Sequence, residues 1–401
     1  MDLAAWRADF PALHQEVYGR PLVYLDSAST SLKPQAVIDA VVQVYARHAG
    51  NVHRGVHALS EAATAAFDAS RHEVARFLGA APGEVVFTRG TTESINLVAQ
   101  AWGRTALGPG DAVVATALEH HSNLVPWQLA CAERGATLLI APVDDAGRID
   151  LDRLAALIDR GVRLVAVSHL SNVVGTAAPI AEIARLAHAA GALLLVDGAQ
   201  AVAHLPVDVG ALGCDFYAFS AHKLCGPTGV GVLWGRAALL EAMPPWQGGG
   251  EMVASVDLTG ARFREPPQRF EAGTPDIAGV IGLGAALRYL GQLDRAAVAA
   301  HERALHARLV AALADIDGVR VLGRPELALA AFDVAGVPPH DLASIVDRDG
   351  IAIRSGHHCA EPLHRRFGLA ASARASLAFY NTADEIDALA ASVARAREVF
   401  R

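Results

Sequence analysis

Lys223 stands in the stretch "FYAFSAHKLCGPTG", directly after an apolar run that reads as a buried strand and among Ser220, Ala221, His222, Gly226 and Gly229. A cation there suits covalent chemistry. Desolvation and nearby positive charge lower an amine's proton affinity and favour the neutral nucleophile, which forms Schiff bases with carbonyls. Asp197 ends another apolar run, "ALLLVD". A buried carboxylate needs a partner: a helix cap, a structural cation, or a protonated ring nitrogen of a ligand. Gly90-Thr91-Thr92 opens a helical pattern and offers N–H groups and hydroxyls, either as a cap or to a phosphate. It lacks the Walker lysine spacing and is not G-x-G-x-x-G, so a nucleotide site is weakly supported.

Taken together, a phosphate cradle, an acid for a pyridinium nitrogen and a Schiff-base lysine describe a site for pyridoxal 5'-phosphate. His120, in "LEHHSN", supplies a flat face for the ring. Of the four cysteines, Cys131, Cys214, Cys225 and Cys359, none forms a C-x-x-C pair, so neither a disulfide framework nor a thiolate zinc site is indicated. Cys359 differs from the others in its setting. "RSGHHCAEP" is too polar for a comfortable core, and Arg354, His357 and His358 are cationic neighbours suited to a nucleophilic sulfur. His53, Arg54 and His57 form "HRGVH"; Gly55 between the histidines and the missing glutamate argue for a substrate-side or subunit-interface loop over a helical metal site.

These residues need a scaffold. "EVVFT", "DAVVAT", "RLVAVSH", "ALLLVD", "DFYAFS" and "VGVLW" read as strands, and alanine-rich helical patterns such as "IAEIARLAHAAG" lie between most of them. That alternation predicts an α/β fold with a mostly parallel sheet covered on both faces. Ligands in such sheets sit beyond the carboxyl ends of the strands, where the polar residues fall. After about residue 275 come two long helical patterns, then strand candidates near "LALAAFDVAG" and "GIAIRS", and a closing helix from Thr382. The expected organisation is an N-terminal segment (1–20), a large cofactor-binding α/β domain (21–285) and a smaller α+β domain (286–401) carrying the Cys359 loop.

The bulk numbers fit an enzyme. Of 401 residues 52% are hydrophobic, enough for a large core, and the formal net charge of -8 gives no basic footprint for nucleic acid. The first residues show no sustained apolar signal and no run approaches a membrane span, so a cytoplasmic protein is expected.

The motifs "YLDSAST", "VHRGVHALS", "RGTTESINLVA", "LEHHSNLVPW", "SHLSNVVGT", "VDGAQAV", "FSAHKLCGPTGVG", "GGGEM", "RFEAGTPD", "RSGHHCAEPL" and "RASLAFYNT" resemble, in order, a SufS-type cysteine desulfurase of the class V aminotransferase-like group. The "R-x-G-H-H-C" form resembles the short-loop branch that also holds selenocysteine lyases. The resemblance implies the fold type I architecture with a seven-stranded sheet, and pyridoxal 5'-phosphate held as a Schiff base on Lys223. It implies Asp197 as the pyridinium partner, Gln200 near the phenolic oxygen and His120 stacked on the ring. Thr91, Thr92, Ser220 and His222 become phosphate ligands, and Thr274 reaches the phosphate of a neighbouring subunit in a homodimer. Asn172 and Arg374 contact the substrate carboxylate, with Arg354 a competing anchor and His53 and Arg54 on the substrate side. Cys359 becomes the persulfide-forming nucleophile acting on L-cysteine or L-selenocysteine, with a SufE- or SufU-like acceptor for iron–sulfur assembly. Two positions depart from the pattern: Ala221 where glycine is usual, costly only if that residue needs positive φ, and Cys225 where an aromatic is common.

Other functions remain on this scaffold: a selenocysteine lyase, another class V aminotransferase or lyase with Cys359 incidental, or a sulfur-relay module. A zinc hydrolase using His120, His121, His357, His358 and Cys359 is a further alternative, but it leaves Lys223 and Asp197 without roles.

Overall fold

A computed structural model describes residues 3–158 and 161–400. The ends of the expected N-terminal segment and small domain (residues 1, 2 and 401) and residues 159 and 160 lie outside the described residues.

Seven strands form the central sheet: β1 (Val85–Thr88), β2 (Ala112–Thr116), β3 (Thr137–Ala141), β4 (Val162–Ser168), β5 (Leu193–Asp197), β6 (Phe216–Ser220) and β7 (Gly231–Gly235). Their order is β1-β7-β6-β5-β4-β2-β3, and only β7 runs against its neighbours. Strands β2, β5 and β6 are apolar and almost wholly buried, as expected where helices cover both faces. One face packs Val114, Val165, Val196, Tyr217 and Phe219; the other packs Val113, Leu164, Leu195, Phe216 and Leu233. The strand missing from the sequence-read set is β3, whose Ile140 is exposed and in which only Ala141 is buried; it lacks the continuous burial that made the others, including the opposite edge strand β1, stand out.

A second sheet contains β8 (Val319–Val321), β9 (Leu329–Val334), β10 (Arg354–Gly356) and β11 (Ser372–Ser376), all antiparallel, in the order β8-β9-β11-β10. Helices Arg295–Ala314 and Ala383–Val399 pack their leucines on it. Thr382 caps the latter in a capping box with Glu385, as a threonine followed three residues later by glutamate predicts. The run "GIAIRS", read as one strand, is divided. Ile351–Ala352 pairs in parallel with Val23–Tyr24, and Arg354–Gly356 joins β11.

The N-terminal stretch ties the two sheets together. Asp26 bridges the backbone of Ser376, Gln200 Nε2 donates to the Ala28 carbonyl, and Phe10 packs against Phe379 and Tyr380. Among the described residues no helix is long and apolar enough to cross a membrane.

Candidate active site

A cavity of about 410 Å³ opens where the carboxyl ends of β4, β5 and β6 meet β10 and β11. Of the predicted site residues it gathers Thr91, Thr92, His120, Asn172, Asp197, Gln200, Ser220, His222, Lys223, Arg354, Cys359 and Arg374.

Lys223 follows β6 in a single 3-10 turn, Ala221–Lys223. Burial pushes its ammonium down to about 8, helped by the cations of Arg374 and Arg354 and opposed by Asp197 and Cys359. Asp197 closes β5 beside Ser168 of β4. It is 6% exposed, its carboxyl is driven upward by burial, and its Oδ1 accepts one hydrogen bond, from Ala199 N at 2.9 Å. A carboxylate so placed retains acceptor capacity for a donor in the cavity.

At the start of the helix Thr91–Ala101, Ser220 Oγ accepts from Thr91 N at 2.8 Å and lies 2.7 Å from Thr91 Oγ1. Gly231 is required beside it, because a Cβ there would lie 2.3 Å from Gly90 Cα. Thr92 Oγ1 meets Ser122 Oγ at 2.6 Å, and the same serine's N–H donates to His120 Nδ1 at 3.1 Å. Burial, then the charge of Lys223, lowers His120 to about 3, so its ring is neutral at ordinary pH. His222 is held down to about 4 by the same two causes.

From the second sheet, Arg374 is 3% exposed in the middle of β11, where the sequence reading placed it just ahead of a strand. It donates to Asn172 O at 2.9 Å and Ser29 Oγ at 2.9 Å. Its Nε is buried with no partner among the described residues. Arg354 is its register partner. Cys359 is exposed, and both it and His358 have positive φ, 53° and 50°. For non-glycine residues that is an uncommon conformation, held here by neighbours. Cys359 O accepts from His121 N at 2.7 Å, and His358 O accepts from Asn172 Nδ2 at 2.8 Å. His121 and His357 stand with ring centroids 5.5 Å apart beside this loop. Among the described residues no three His, Cys, Asp or Glu side chains gather as metal ligands.

Three predicted residues lie elsewhere. Thr274 lines an adjoining cavity of about 470 Å³ with Arg89, Glu93 and Trp246. His53 turns its ring edge-on to Phe67, and Arg54 pairs with Glu251 at 2.9 Å. Ala221 has no positive φ, so the substitution for glycine costs nothing in the backbone; the strained neighbour is Cys225, with φ 58°. Cys225 is buried and its thiol pushed up to about 12, in keeping with packing.

Sequence reasoning missed Ser29, Thr30, Ser168 and Thr228 as lining residues and gave Ser122, read only as a strand-end polar residue, no role. Ser168 and Ser122 carry the strand-end signal that exposed the others; Ser29 and Thr30 arrive from a distant N-terminal loop and carry none. Glu119, read only as one of the polar residues after the same strand as Ser122, was likewise given no role. It is 2% exposed and accepts from Thr116 Oγ1, Ser168 N, Ser168 Oγ and Asn123 Nδ2 at 2.6–3.1 Å. Burial outweighs these bonds and raises its carboxyl to about 7.

The aminotransferase class-V family model matches residues 23–389. The chain belongs to the class-V aminotransferase family. It is 53% identical over 392 residues to a cysteine desulfurase of Dickeya dadantii, covering 97% of this chain and 95% of the relative. It is 50% identical over 396 residues to a cysteine desulfurase of Klebsiella pneumoniae, covering 98% of each. The crystal structure of the cysteine desulfurase CsdA from Escherichia coli superposes with a TM-score of 0.94 at 45% identity, over the whole of both chains. The apo cysteine desulfurase of Thermococcus onnurineus superposes at 0.91 with 38% identity over 98% of each.

The family's members are pyridoxal 5'-phosphate enzymes of fold type I, and this chain is such an enzyme with that fold. The residues present suit the cofactor. A buried carboxylate with acceptor capacity, a lysine of lowered basicity and a hydroxyl-lined helix start face one cavity.

Proposed function

We propose that this chain is a cysteine desulfurase that converts L-cysteine to L-alanine and carries the removed sulfur on Cys359. The observation that carries this reading is that Cys359 and Lys223 line one cavity that also holds Arg374 and Asp197.

Bound pyridoxal 5'-phosphate, linked to Lys223, would supply the electron sink that makes the substrate's α-proton removable and its sulfur transferable. The chain's own residues do the rest. Asp197 would hold the cofactor's ring nitrogen in its protonated form, and Gln200 and the neutral His120 ring would help to hold the ring. Thr91, Thr92, Ser220 and His222 would bind its phosphate. Arg374 and Asn172 orient the substrate carboxylate, and Arg374 contributes the planar fork that suits it. Lys223 Nζ, freed when the substrate's amine takes its place, is neutral often enough near pH 8 to accept the substrate's α-proton. Cys359 Sγ, as the thiolate, bonds to the substrate sulfur as the Cβ–S bond breaks. The sulfur stays as a persulfide and the carbon skeleton, reprotonated, leaves as alanine. Exposure of Cys359 on a strained loop suits it to hand that sulfur on.

The finer parts of the reading belong with it. L-Selenocysteine is a second substrate. The persulfide passes to a SufE- or SufU-like acceptor for iron–sulfur assembly in the cytoplasm. The working form is a homodimer in which Thr274 serves the partner's site, and His53 and Arg54 belong to a substrate-side or subunit-interface loop. In support, helix Gln35–Arg47 shows Ile38, Val42 and Tyr45 to solvent at i, i+4 and i+7, and Val56 and Leu59 are exposed as well. The chain divides into the segment 1–20, the large domain 21–285 and the small domain 286–401.

The test is to saturate purified protein with pyridoxal 5'-phosphate, add L-cysteine with a thiol reductant, and measure alanine and sulfide in equal yield. A cofactor-loaded protein that forms neither overturns the proposal.

A further inference from the structure

Four donors converge on one backbone carbonyl, that of His222, in the peptide bond leading into Lys223. Ser31 N donates to it at 2.9 Å, Thr30 Oγ1 at 3.0 Å, Ser31 Oγ at 3.1 Å and Lys33 Nζ at 3.1 Å. A carbonyl oxygen carries two lone pairs, and a single donor satisfies it when buried. The excess needs a reason beyond satisfaction. All these donors come from the loop between Val23–Tyr24 and helix Gln35–Arg47, remote in sequence from the lysine.

The turn that carries Lys223 does not hold this peptide by itself. Leu224 N returns to Ala221 O at 2.9 Å, but the next bond of a 3-10 helix would run from Cys225 N to His222 O. Cys225 N donates instead to Ser31 Oγ at 2.7 Å, and that hydroxyl donates in turn to His222 O. Ser31 thus stands in for the missing turn bond, at the point where Cys225 takes positive φ. Lys33 adds a charge. Its Nζ is held by three neutral oxygens: His222 O, Thr30 Oγ1 at 3.0 Å and Ser31 O. Burial lowers its ammonium to about 8, opposed by the Cys225 thiol. A cation withdrawn from water onto neutral acceptors is costly, and its hydrogen bonds are stronger than those of neutral donors. Lys33 does not line the cavity, so it acts on the site through the peptide it grips.

We propose that Lys33, with Ser31, is a positioning residue for Lys223: it fixes the plane of the His222–Lys223 peptide, so that the lysine amine, once displaced by a substrate, stays within reach of the substrate's α-carbon. This inference rests on the reading of Lys223 as the base that moves the α-proton. An amine on a flexible four-carbon stem is placed only as well as the root of that stem, and proton transfer depends steeply on placement.

The experiment gives cofactor-loaded protein L-alanine in deuterated water and follows loss of the α-proton by NMR. The proton passes to Lys223 Nζ, exchanges there with solvent, and a deuteron returns, so no oxidant or leaving group is required. Alongside it, the rate at which cofactor-free protein captures pyridoxal 5'-phosphate is followed by absorbance, and equilibrium cofactor affinity is measured. Lys33→Met keeps the stem and removes the donors. It should slow exchange about tenfold or more and slow capture in the same direction, with a smaller loss of cofactor affinity. Lys33→Arg, which keeps the charge and the donors, should recover most of the exchange rate. Should Lys33→Met fail to fold, Ser31→Ala removes the stand-in bond and should slow both exchange and capture. Wild-type exchange or capture in the folded variant, a loss of cofactor affinity as large as the loss of exchange, or Lys33→Arg no faster than Lys33→Met overturns the inference. A wild-type protein that loads cofactor yet exchanges no α-proton instead overturns the reading of Lys223 as the base, and with it the proposed function.

Discussion

The side-chain amide of Asn172 donates to the carbonyl oxygen of His358 at 2.8 Å, one residue before Cys359. The bond joins the loop after β4, in the central sheet, to the cysteine loop that β10 of the other sheet delivers. It is one of the contacts that hold His358 and Cys359 at positive φ.

Asn172→Ala should therefore loosen the cysteine loop. A lost hydrogen bond of about 1 kcal/mol corresponds to roughly a fivefold change in a loop equilibrium. The check is the alkylation rate of Cys359 by iodoacetamide in cofactor-free protein, which should rise by about that factor. An unchanged rate would mean that the backbone contact of Cys359 O with His121 N holds the loop alone.

Cys359→Ser should abolish sulfide and alanine production from L-cysteine, by about a hundredfold or more, while leaving cofactor binding intact. Exposure of Cys359 makes a folding defect an unsatisfactory explanation for such a loss. Retained desulfuration would favour a class V lyase in which the cysteine is incidental.

Cofactor capture should follow the lysine. Lys223 is held near 8 by burial, below the usual 10.4 or so of an amine. Below that value it is charged and cannot attack a carbonyl; above it, it is neutral. The rate at which cofactor-free protein takes up pyridoxal 5'-phosphate should thus climb as pH rises through about 8, followed by absorbance. Borohydride should then fix the cofactor to one peptide, the one containing Lys223, and Lys223→Ala should leave no covalent product.

Much of this site was legible because it follows one rule. Polar residues at the ends of apolar strands, such as Asp197, Lys223 and Asn172, converge when the strands lie side by side in a parallel sheet. The rule fails where the chain arrives by other routes. Ser29 and Thr30 come from the N-terminal loop, and Asp26 reaches Arg354 and Arg374 through a bridge to Ser376 that no local periodicity signals. It also fails for strands that are short or lack a buried face. β3 lacks a buried pattern, and "GIAIRS" serves two sheets because Ile351 pairs with Val23 while Arg354 pairs with Arg374. Of the residues outside the cavity, Thr274 is the one whose role was tied to a second subunit, while His53 and Arg54 were read as a substrate-side or subunit-interface loop.

Acid should unfold the protein early. Burial lowers His120 to about 3 and both His169 and His222 to about 4, whereas an unfolded histidine titrates near about 6.5. Between these limits the native state binds fewer protons than the unfolded chain, so stability rises with pH there. It is fully present above about 6.5 and is lost progressively as pH falls toward 4. Melting temperature measured from pH 8 to 5 should be level at first and then drop, and His169→Phe, if it packs against Tyr217, should blunt the drop. A flat profile down to pH 5 contradicts burial of these rings.

Glu119 tests whether the scaffold and the site are separable. Its carboxylate collects four donors from β2, β4 and the turn after His120, and Ser168, which supplies two of them, lines the cavity beside Asp197. Glu119→Ala leaves those donors unpaired in a buried place, at about 1–3 kcal/mol for each one that finds no substitute. Melting temperature should fall by several degrees at least. Glu119→Gln keeps the volume and two acceptor sites, so it should cost less stability. Its amide N–H groups now face donors, however, so Ser168 and the His120 turn must readjust. The prediction for Glu119→Gln is a measurable weakening of pyridoxal 5'-phosphate affinity with only a small change in melting temperature. Equal losses in both measurements would make Glu119 a purely structural tie between strand ends, with no separate influence on the cavity.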